Sequence, residues 1–249
     1  MKLWMIPVVC LLTLPSMAAE ITSPFYLPEA GHVWGKTEAV FVKDKIKDKK
    51  TVRFYDQGVG QKLSLGLGGG LAALVEGNMH WIRQKQERTF SYPRTKEYAA
   101  GMKGGWNFDS FLTQISVLYR QTTNVDFSAR RLMETHFRLG KQLKTMTPYL
   151  HLVGWFPLNA RPELNNPIYR GETGVFQTIN DKMTLDSALF LKYDKNIKER
   201  SYGIRSEISY SIFDGVAVGI NGEWQARGRS KNNAHTYHQK VGASIQFAF

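Results

Sequence analysis

The last thirteen residues, Tyr237-His-Gln-Lys-Val-Gly-Ala-Ser-Ile-Gln-Phe-Ala-Phe249, decide the fold. Counted back from Phe249, every second side chain is mostly apolar or aromatic, and the side chains between are mostly polar or small. A period of two is typical of a β-strand with one apolar and one polar face. At the end of a soluble protein such a strand would offer an unpaired edge to other chains, whereas a strand that closes a barrel has no free edge. The stretch therefore predicts a closed β-barrel.

This terminal strand resembles that of Gram-negative outer-membrane β-barrel proteins, which end in Phe after alternating apolar residues. The resemblance implies a bacterial outer-membrane location, reached through the periplasm, and a C-terminal assembly signal that is read by the barrel-assembly machinery. It points to a porin-like or small-channel protein without identifying a subfamily or a solute. The positions that carry it are Tyr237, Val241, Ile245, Phe247 and Phe249.

The first nineteen residues predict a secretory signal peptide. Lys2 precedes an apolar core, and Ser16 and Ala18 are the small residues expected before a cleavage site. A retained membrane anchor is the alternative, but the core is shorter than the ~20 residues of a spanning helix. The single cysteine, Cys10, lies inside this core. The mature chain would therefore have no disulfide bond and no thiolate metal site.

Downstream, strand-like segments alternate with turn signals and predict one all-β domain. We expect residues 20–31 to form a periplasmic lead-in and residues 32–249 to form an antiparallel up-and-down transmembrane barrel, which must close because lipid satisfies no backbone groups. The predicted strands are 33–43, 51–67, 71–84, 96–106, 111–121, 127–143, 148–156, 168–179, 183–193, 201–212, 216–227 and 237–249.

The connections between these segments alternate in length. Those after the second, fourth, sixth, eighth and tenth strands have three or four residues of turn chemistry, and the others have five to eleven, mostly polar residues. Short periplasmic turns and longer extracellular loops are typical of outer-membrane barrels. An even strand number also places both chain ends on the periplasmic side.

Three places do not fit a simple alternation. In 51–67 the apolar parity changes near Gln57–Gly60, which predicts a β-bulge. In 148–156 both faces are largely apolar, so the register stays open. Arg131 falls on the lipid face, where a charge at the midplane costs roughly 2–4 kcal/mol, so we expect it near a rim.

Alternation alone does not tell which face of the strands meets lipid, but the aromatic residues help to decide. On the apolar parity they lie near strand ends, as in the interfacial girdles of membrane barrels. A packed soluble core, the alternative, would favour mid-strand positions. The residues that support the lipid-facing interpretation are Trp81, Trp106, Trp224, Tyr98, Tyr119, Tyr193, Tyr202, Tyr210 and Tyr237.

The polar face then becomes the lumen, with charges of both signs. The formal net charge of +12 favours anions or anionic lipopolysaccharide, and no nucleic-acid motif accompanies it. We predict a narrow passage for passive diffusion of small anionic solutes; a structural or adhesin-like barrel closed by ion pairs is the alternative. The predicted pore-lining residues are Arg120, Arg130, Arg138, Arg170, Lys192, Arg205, Lys240, Glu76, Glu134, Glu207 and Glu223.

We predict no catalytic residue, no metal site and no cofactor. His235 and His238 have the spacing of a metal pair but would point to opposite faces of a strand. A lipid-modifying enzyme is a second alternative, because some outer-membrane barrels act on lipids and His80, His136 and His238 lie on the polar parity. No nucleophile motif supports it.

Basic residues are frequent in the longer loops, and outward-facing ones would meet lipopolysaccharide phosphates or simply form a solvated rim. The expected partners are thus outer-membrane lipid, lipopolysaccharide, the assembly machinery and small solutes. The loop residues concerned are Lys45, Lys47, Lys49, Lys50, Arg88, Arg94, Lys195, Lys198, Arg200, Arg229 and Lys231.

Overall fold

The computed structural model describes residues 20–47, 51–84, 95–124, 127–158, 166–196, 198–227 and 235–249. The predicted signal peptide, 1–19, and most of the basic loop positions lie outside these residues. The described part contains twelve strands: β1 (Val33–Lys47), β2 (Thr51–Gly68), β3 (Leu71–Gln84), β4 (Thr95–Phe108), β5 (Phe111–Asn124), β6 (Phe127–Lys141), β7 (Met146–Pro157), β8 (Ile168–Asn180), β9 (Met183–Asp194), β10 (Glu199–Phe213), β11 (Val216–Arg227) and β12 (His235–Ala248).

These strands form one closed barrel in which each strand is antiparallel to the next and β1 pairs with β12. The seam register runs without interruption from Trp34 opposite Ala248 to Lys47 opposite His235. The predicted closed, antiparallel, up-and-down architecture with twelve strands is therefore confirmed. Among the described residues no helix is long and apolar enough to span a membrane.

The predicted alternation in connection length is confirmed only in part: the connections after β3, β7 and β11 have seven to ten residues, whereas those after β1, β5 and β9 have two to four, like the tight turns. All five even-numbered connections are tight, and Gly70 and Gly215 in two of them have φ of 75°, a conformation that glycine adopts without strain. The three connections after β1, β5 and β9 are shorter than expected, mainly because β1 and β5 end later and β10 begins earlier than predicted. The β5–β6 connection, for example, contains only residues 125 and 126.

The bulge predicted at Gln57–Gly60 is wrong. The pairing of β2 with β1 and β3 continues unbroken through these residues, and the register shifts next to the turn instead, between Gly66 and Gly68. No change of parity is needed, because Gln57 and Gln61 stay on the exposed outer face. Because both residues are polar although they face outwards, they interrupt the apolar alternation of β2 without any change of face.

Strand β7 also has a defined register. Tyr149, His151 and Val153 point into the barrel and are 4–6% exposed, whereas Leu150 and Leu152 are 39% and 46% exposed on the outside. The sequence left this register open because residues on both faces are apolar. The inward position of His151 was therefore missed.

The outer wall is apolar and aromatic. Leu189, Leu191 and Ile220 are 65–69% exposed there. The nine aromatic residues predicted for this wall all lie on the outward parity, most of them towards one end or the other of their strands. The exposed, charged Arg131 faces Gln121, towards the long-loop end of the wall. The apolar face of the strands thus points outwards, as a membrane barrel requires.

The C-terminal residues take part in closing the barrel. Phe249 exchanges two backbone hydrogen bonds with Val33, of 2.8 and 2.9 Å. The ring of Phe247 lies where a Cβ on Gly35 would be, and it contacts the ring of Phe249 at a centroid distance of 5.4 Å. These contacts give the terminal aromatic residues a structural role, while recognition by the assembly machinery stays a prediction.

Candidate functional site

The candidate site is the inner wall of the barrel. Its main feature is a band of paired charges at about mid-height, which we call the interior belt. All strands except β7 contribute to it. Its members are Lys36, Glu38, Lys62, Glu76, Glu97, Arg120, Glu134, Arg170, Glu172, Asp186, Arg205, Glu207, Glu223 and Lys240.

One half of the belt is centred on Arg120 of β5. Its guanidinium donates to Glu134 at 2.5 Å and to Glu76 at 2.7 Å, and it lies 3.5 Å from Glu97. Lys62 reaches the other oxygen of Glu76 at 2.9 Å. Side chains from β2 to β6 are thereby joined, and Glu76 and Glu134 are each only 6% exposed. At that depth a carboxylate is tolerated only because cations and donors surround it.

The other half of the belt is centred on Glu172 of β8, which is 4% exposed. Arg170 contacts its Oε1 atom at 2.6 Å, and Arg205 of β10 donates to its Oε2 atom at 3.0 Å. Arg205 also donates to Asp186 at 2.9 Å and to the hydroxyl oxygen of Tyr149 at 2.7 Å, while that hydroxyl donates to Asp186 at 2.6 Å. Four strands are held together by this group.

Several pairs in the belt skip intervening strands and so narrow the lumen. Arg170 of β8 reaches Glu223 of β11 at 3.1 Å, and its guanidinium stacks on Phe190 at 3.7 Å. Lys36 of β1 donates to Glu207 of β10 at 2.6 Å. Because the partners stand three strands apart in the barrel, these long side chains must lie across the interior rather than along the wall.

Two histidines join the halves of the belt. His136 of β6 contacts Glu134 at 2.9 Å through Nε2, and its Nδ1 atom lies 3.0 Å from Nε2 of His151 on β7. Nδ1 of His151 lies 3.1 Å from Glu172. The chain Glu134–His136–His151–Glu172 thus connects the Arg120 group to the Arg205 group.

Not every interior cation has a carboxylate partner. Within the described part of the chain, Arg130 has no hydrogen-bond or ion-pair partner, although its Nε and Nη2 atoms are buried. Lys103 donates to the Tyr26 carbonyl at 2.6 Å, and Arg138 donates to the Pro24 carbonyl at 2.7 Å and to the Gln114 side chain at 2.9 Å. None of these three side chains is therefore paired with a carboxylate.

Residues 20–32, here called the strap, lie across the mouth at the tight-turn end. The Thr22 hydroxyl is 2.9 Å from that of Thr184 on β9, and Trp34 of β1 donates to the Ile21 carbonyl at 3.0 Å. Phe25 packs edge-on against Tyr149 of β7 at a centroid distance of 6.1 Å. Further along, the amide of Gly31 donates to the Gly66 carbonyl of β2 at 3.0 Å. The strap therefore touches strands on both sides of the mouth.

Inward-facing glycines make room for the strap. A Cβ on Gly66 would overlap the Glu29 carbonyl oxygen. One on Gly105 would come within 2.4 Å of Leu27, and one on Gly140 within 2.6 Å of Phe25. These glycines are near the turn ends of β2, β4 and β6. Every second strand in this part of the barrel therefore has an inward position without a side chain where the strap passes. In the sequence they read only as small residues on the polar parity.

The eleven residues predicted to line a pore all lie on the inner parity of their strands. Those whose contacts are given above belong to the belt or point at the strap, and Lys192 has its Nζ atom 5.8 Å from the Trp155 ring. The inner wall is less polar than expected, because Leu74, Ala99 and Leu118 form a buried cluster beneath the belt. Tyr149 and His151 are functional candidates that the sequence did not reveal, whereas the strap covers the segment 20–31 that the sequence marked as a lead-in.

The histidines of the enzyme alternative lie on the inner wall. His80 is 3.2 Å from Asp56, and His136 belongs to the chain described above. His238 also has the inward parity of β12. Their position inside the barrel separates all three from the lipid-facing wall.

Comparison with solved structures gives the fold a context. The COG4313 outer membrane channel from Pseudomonas putida F1 superimposes with a TM-score of 0.69 at 7% identity, over 91% of this chain and 98% of that one. The NanC porin gives 0.56 at 13% identity, over 84% and 98%. The KdgM porin gives 0.53 at 9% identity, over 85% and 99%. No protein-family model and no curated protein sequence matches the chain.

These neighbours are channels and porins rather than enzymes, and one KdgM structure is a complex with oligogalacturonate. Identities of 7–13% support the fold alone. The prediction of an outer-membrane β-barrel of the porin-like or small-channel type is therefore confirmed at the level of the fold: the chain is a closed, twelve-stranded barrel of the architecture seen in outer-membrane channels.

Proposed function

We propose that this protein is an outer-membrane channel through which small anionic solutes diffuse passively. The carrying observation is the contrast between an apolar outer wall and a charged interior in a closed barrel, since charges of this number are stable in a membrane protein only if they are wet or paired. The pore-lining residues of the proposal are those predicted from the sequence.

The preference for anions rests on the interior cations that lack a carboxylate. The belt holds six cations and eight carboxylates, so cations such as Arg120 and Arg205 are fully compensated and the belt adds no positive field of its own. Arg130, Lys103 and Arg138 are bonded to uncharged groups or to none of the described residues. Fixed charges of one sign in a narrow passage favour mobile ions of the opposite sign.

The cross-lumen pairs Arg170–Glu223 and Lys36–Glu207 favour small solutes. Such pairs divide the interior into narrow spaces, and a solute must pass between side chains that already hold each other. Sugar acids are a reasonable probe class, because the KdgM porin, which shares the fold, was seen with oligogalacturonate.

The test is planar-bilayer recording on the refolded mature protein. We expect stepwise conductance and, in a salt gradient, a reversal potential of the sign that indicates anion preference. Arg130→Gln should reduce that preference, while the neighbouring Arg131→Gln should not, because Arg131 faces outwards. A folded protein that gives no current steps, or one that prefers cations, would rule out the proposal.

A closed structural or surface-interaction barrel is the second candidate, and the strap favours it. Residues 20–32 fill part of the mouth through contacts on β2, β7 and β9. This candidate predicts heat-modifiable gel mobility with no ion current from the full mature chain. Current from that chain would eliminate it.

A further inference from the structure

The two central histidines of the Glu134–His136–His151–Glu172 chain meet end to end. Their rings are inclined by 14°, with centroids 5.3 Å apart and the facing nitrogens 3.0 Å apart. The centroid separation exceeds the nitrogen separation by about two imidazole ring radii, so both nitrogens lie close to the line between the rings. Each ring nitrogen therefore points directly at the other, and the contact is an in-line hydrogen bond rather than a face-to-face stack.

Counting protons shows that this chain cannot form from neutral imidazoles and ionised carboxylates. It contains three hydrogen bonds, and each bond requires one proton between its two heavy atoms. An ionised carboxylate only accepts, and a neutral imidazole carries one N–H. With both N–H groups directed at Glu134 and Glu172, two bare lone pairs would face each other at 3.0 Å.

We propose that the chain Glu134–His136–His151–Glu172 is a proton-binding site that holds one proton more than two neutral imidazoles supply. That proton completes the central hydrogen bond, and the two rings share a single positive charge between two carboxylates. The total of three protons is the same wherever they reside. If a carboxyl group at one end carries one of them, the two rings carry the other two.

The surroundings keep the four groups in place. Arg120 of β5 holds the second oxygen of Glu134, and Arg170 of β8 holds the second oxygen of Glu172. His151 and Glu172 are 6% and 4% exposed, so water has little access to the Glu172 end. Arg205 of β10 also donates to Glu172, at the Oε2 atom that faces Nδ1 of His151. The other charged or titratable groups nearby are bonded elsewhere, namely Arg138 on β6, Tyr149 on β7 and Asp186 on β9.

A proton fits this site better than a metal ion does. Zinc bound to both rings would hold the nitrogens about 3.3 Å apart in a tetrahedral arrangement. The observed 3.0 Å is a hydrogen-bond distance. Among the residues described, no group of three or more metal-ligating side chains is placed to hold a metal.

An isosteric change distinguishes the proposed site from an ordinary histidine pair. In Glu134→Gln the amide can donate to Nε2 of His136 while its carbonyl oxygen still accepts from Arg120. His136 would then carry its proton on Nδ1 and donate to His151, and His151 would donate to Glu172. Three hydrogen bonds would form with two neutral rings, so the additional proton would no longer be needed.

The experiment is 15N and 13C NMR at neutral pH on the full mature protein, labelled at histidine and glutamate and refolded in lipid nanodiscs. His136→Asn and His151→Asn assign the ring signals, and Glu134→Ala assigns the side-chain carboxyl of that residue. In the wild type we expect three protons in the chain: three of four ring nitrogens protonated, or two together with a protonated carboxyl. In Glu134→Gln we expect two neutral rings, both protonated on Nδ1.

Glu223→Gln is the matched control, since Glu223 also pairs with Arg170 but contacts neither ring; it should keep the wild-type pattern. Two neutral rings beside two ionised carboxylates in the wild type, or two fully protonated rings, would overturn the proposal. If Glu134→Gln does not fold, the proton count of the wild type still decides. The measurement needs no ion current, so it stands or falls independently of the channel function.

Discussion

The outer and inner walls of this barrel are built from alternate residues of the same strands, yet they follow different rules. On the outer wall each side chain meets lipid by itself, and Leu189 or Ile220 needs only to be apolar. On the inner wall each charge of the belt depends on particular partners, as Glu172 depends on residues of β7, β8 and β10. On the outer wall, stability should therefore depend on whether the substituted residue is apolar, polar or charged. On the inner wall, stability should depend on whether the new side chain still offers the particular atom that its partner binds.

The largest effect should come from removing a buried belt acid. Glu172→Ala leaves Arg170 and Arg205 without a shared carboxylate, and breaking a buried ion pair from one side costs about 3–5 kcal/mol. The measurement is the free energy of unfolding in urea, from vesicles. Glu97→Ala is the control, because Glu97 is 28% exposed and 3.5 Å from Arg120. Equal losses in both variants would contradict the special status of the inner wall.

The next largest effect belongs to the outer wall. Leu189→Arg puts a charge at mid-strand in β9, where lipid-facing Arg costs about 2–4 kcal/mol. Tyr193→Arg, near the loop end of the same face, should cost no more than about 1 kcal/mol. The same unfolding assay compares them. Equal losses of stability in Leu189→Arg and Tyr193→Arg would show that the hydrocarbon core of the membrane is not centred near the middle of β9.

Deleting Phe249 should have a smaller effect on stability, because it removes two seam hydrogen bonds with Val33, worth about 0.5–1.5 kcal/mol each. If the terminus is also an assembly signal, the yield of folded protein in the outer membrane should fall more than refolding in vitro. Gel mobility of membrane and refolded samples measures both. If deletion of Phe249 reduced both yields equally, the residue would act only in the seam and not as an assembly signal.

Phe25→Ala with Leu27→Ala should change conductance more than stability. The two side chains fill the spaces over Gly140 and Gly105, and the edge contact of Phe25 with Tyr149 is worth about 1 kcal/mol. We expect larger current steps in planar bilayers because the strap is held less firmly. Ala30→Ser, elsewhere in the strap, is the control. Unchanged steps would show that the strap does not limit the passage.

The smallest effect should be a pH dependence of ion preference, which rests on both proposals. Raising the pH removes the proton that His136 and His151 share and makes the lumen more negative by one charge. The anion preference measured from reversal potentials should therefore fall as the pH rises. Glu134→Gln should not show this fall, because its rings hold no additional proton. If the ion preference of the wild-type protein did not change with pH, the proton held by the histidine chain would have no effect on conduction.

The sequence by itself determined the outer wall. A period of two, turn residues at regular intervals and an apolar terminal strand fixed the strand number, the antiparallel order and the lipid-facing residues, because these features depend on neighbours along one strand. Where polarity and parity disagreed, at Gln57 and Gln61, the prediction of a bulge was wrong.

Only the tertiary structure decided the inner wall. His136 and His151 are fifteen residues apart, and Arg170 and Glu223 are fifty-three residues apart. No local pattern brings such pairs together, because their meeting depends on strand register and on the curvature of the closed sheet. The same closure places the strap over Gly66, Gly105 and Gly140. Alternation tells which residues face inwards, but contacts across the interior exist only once the barrel is closed.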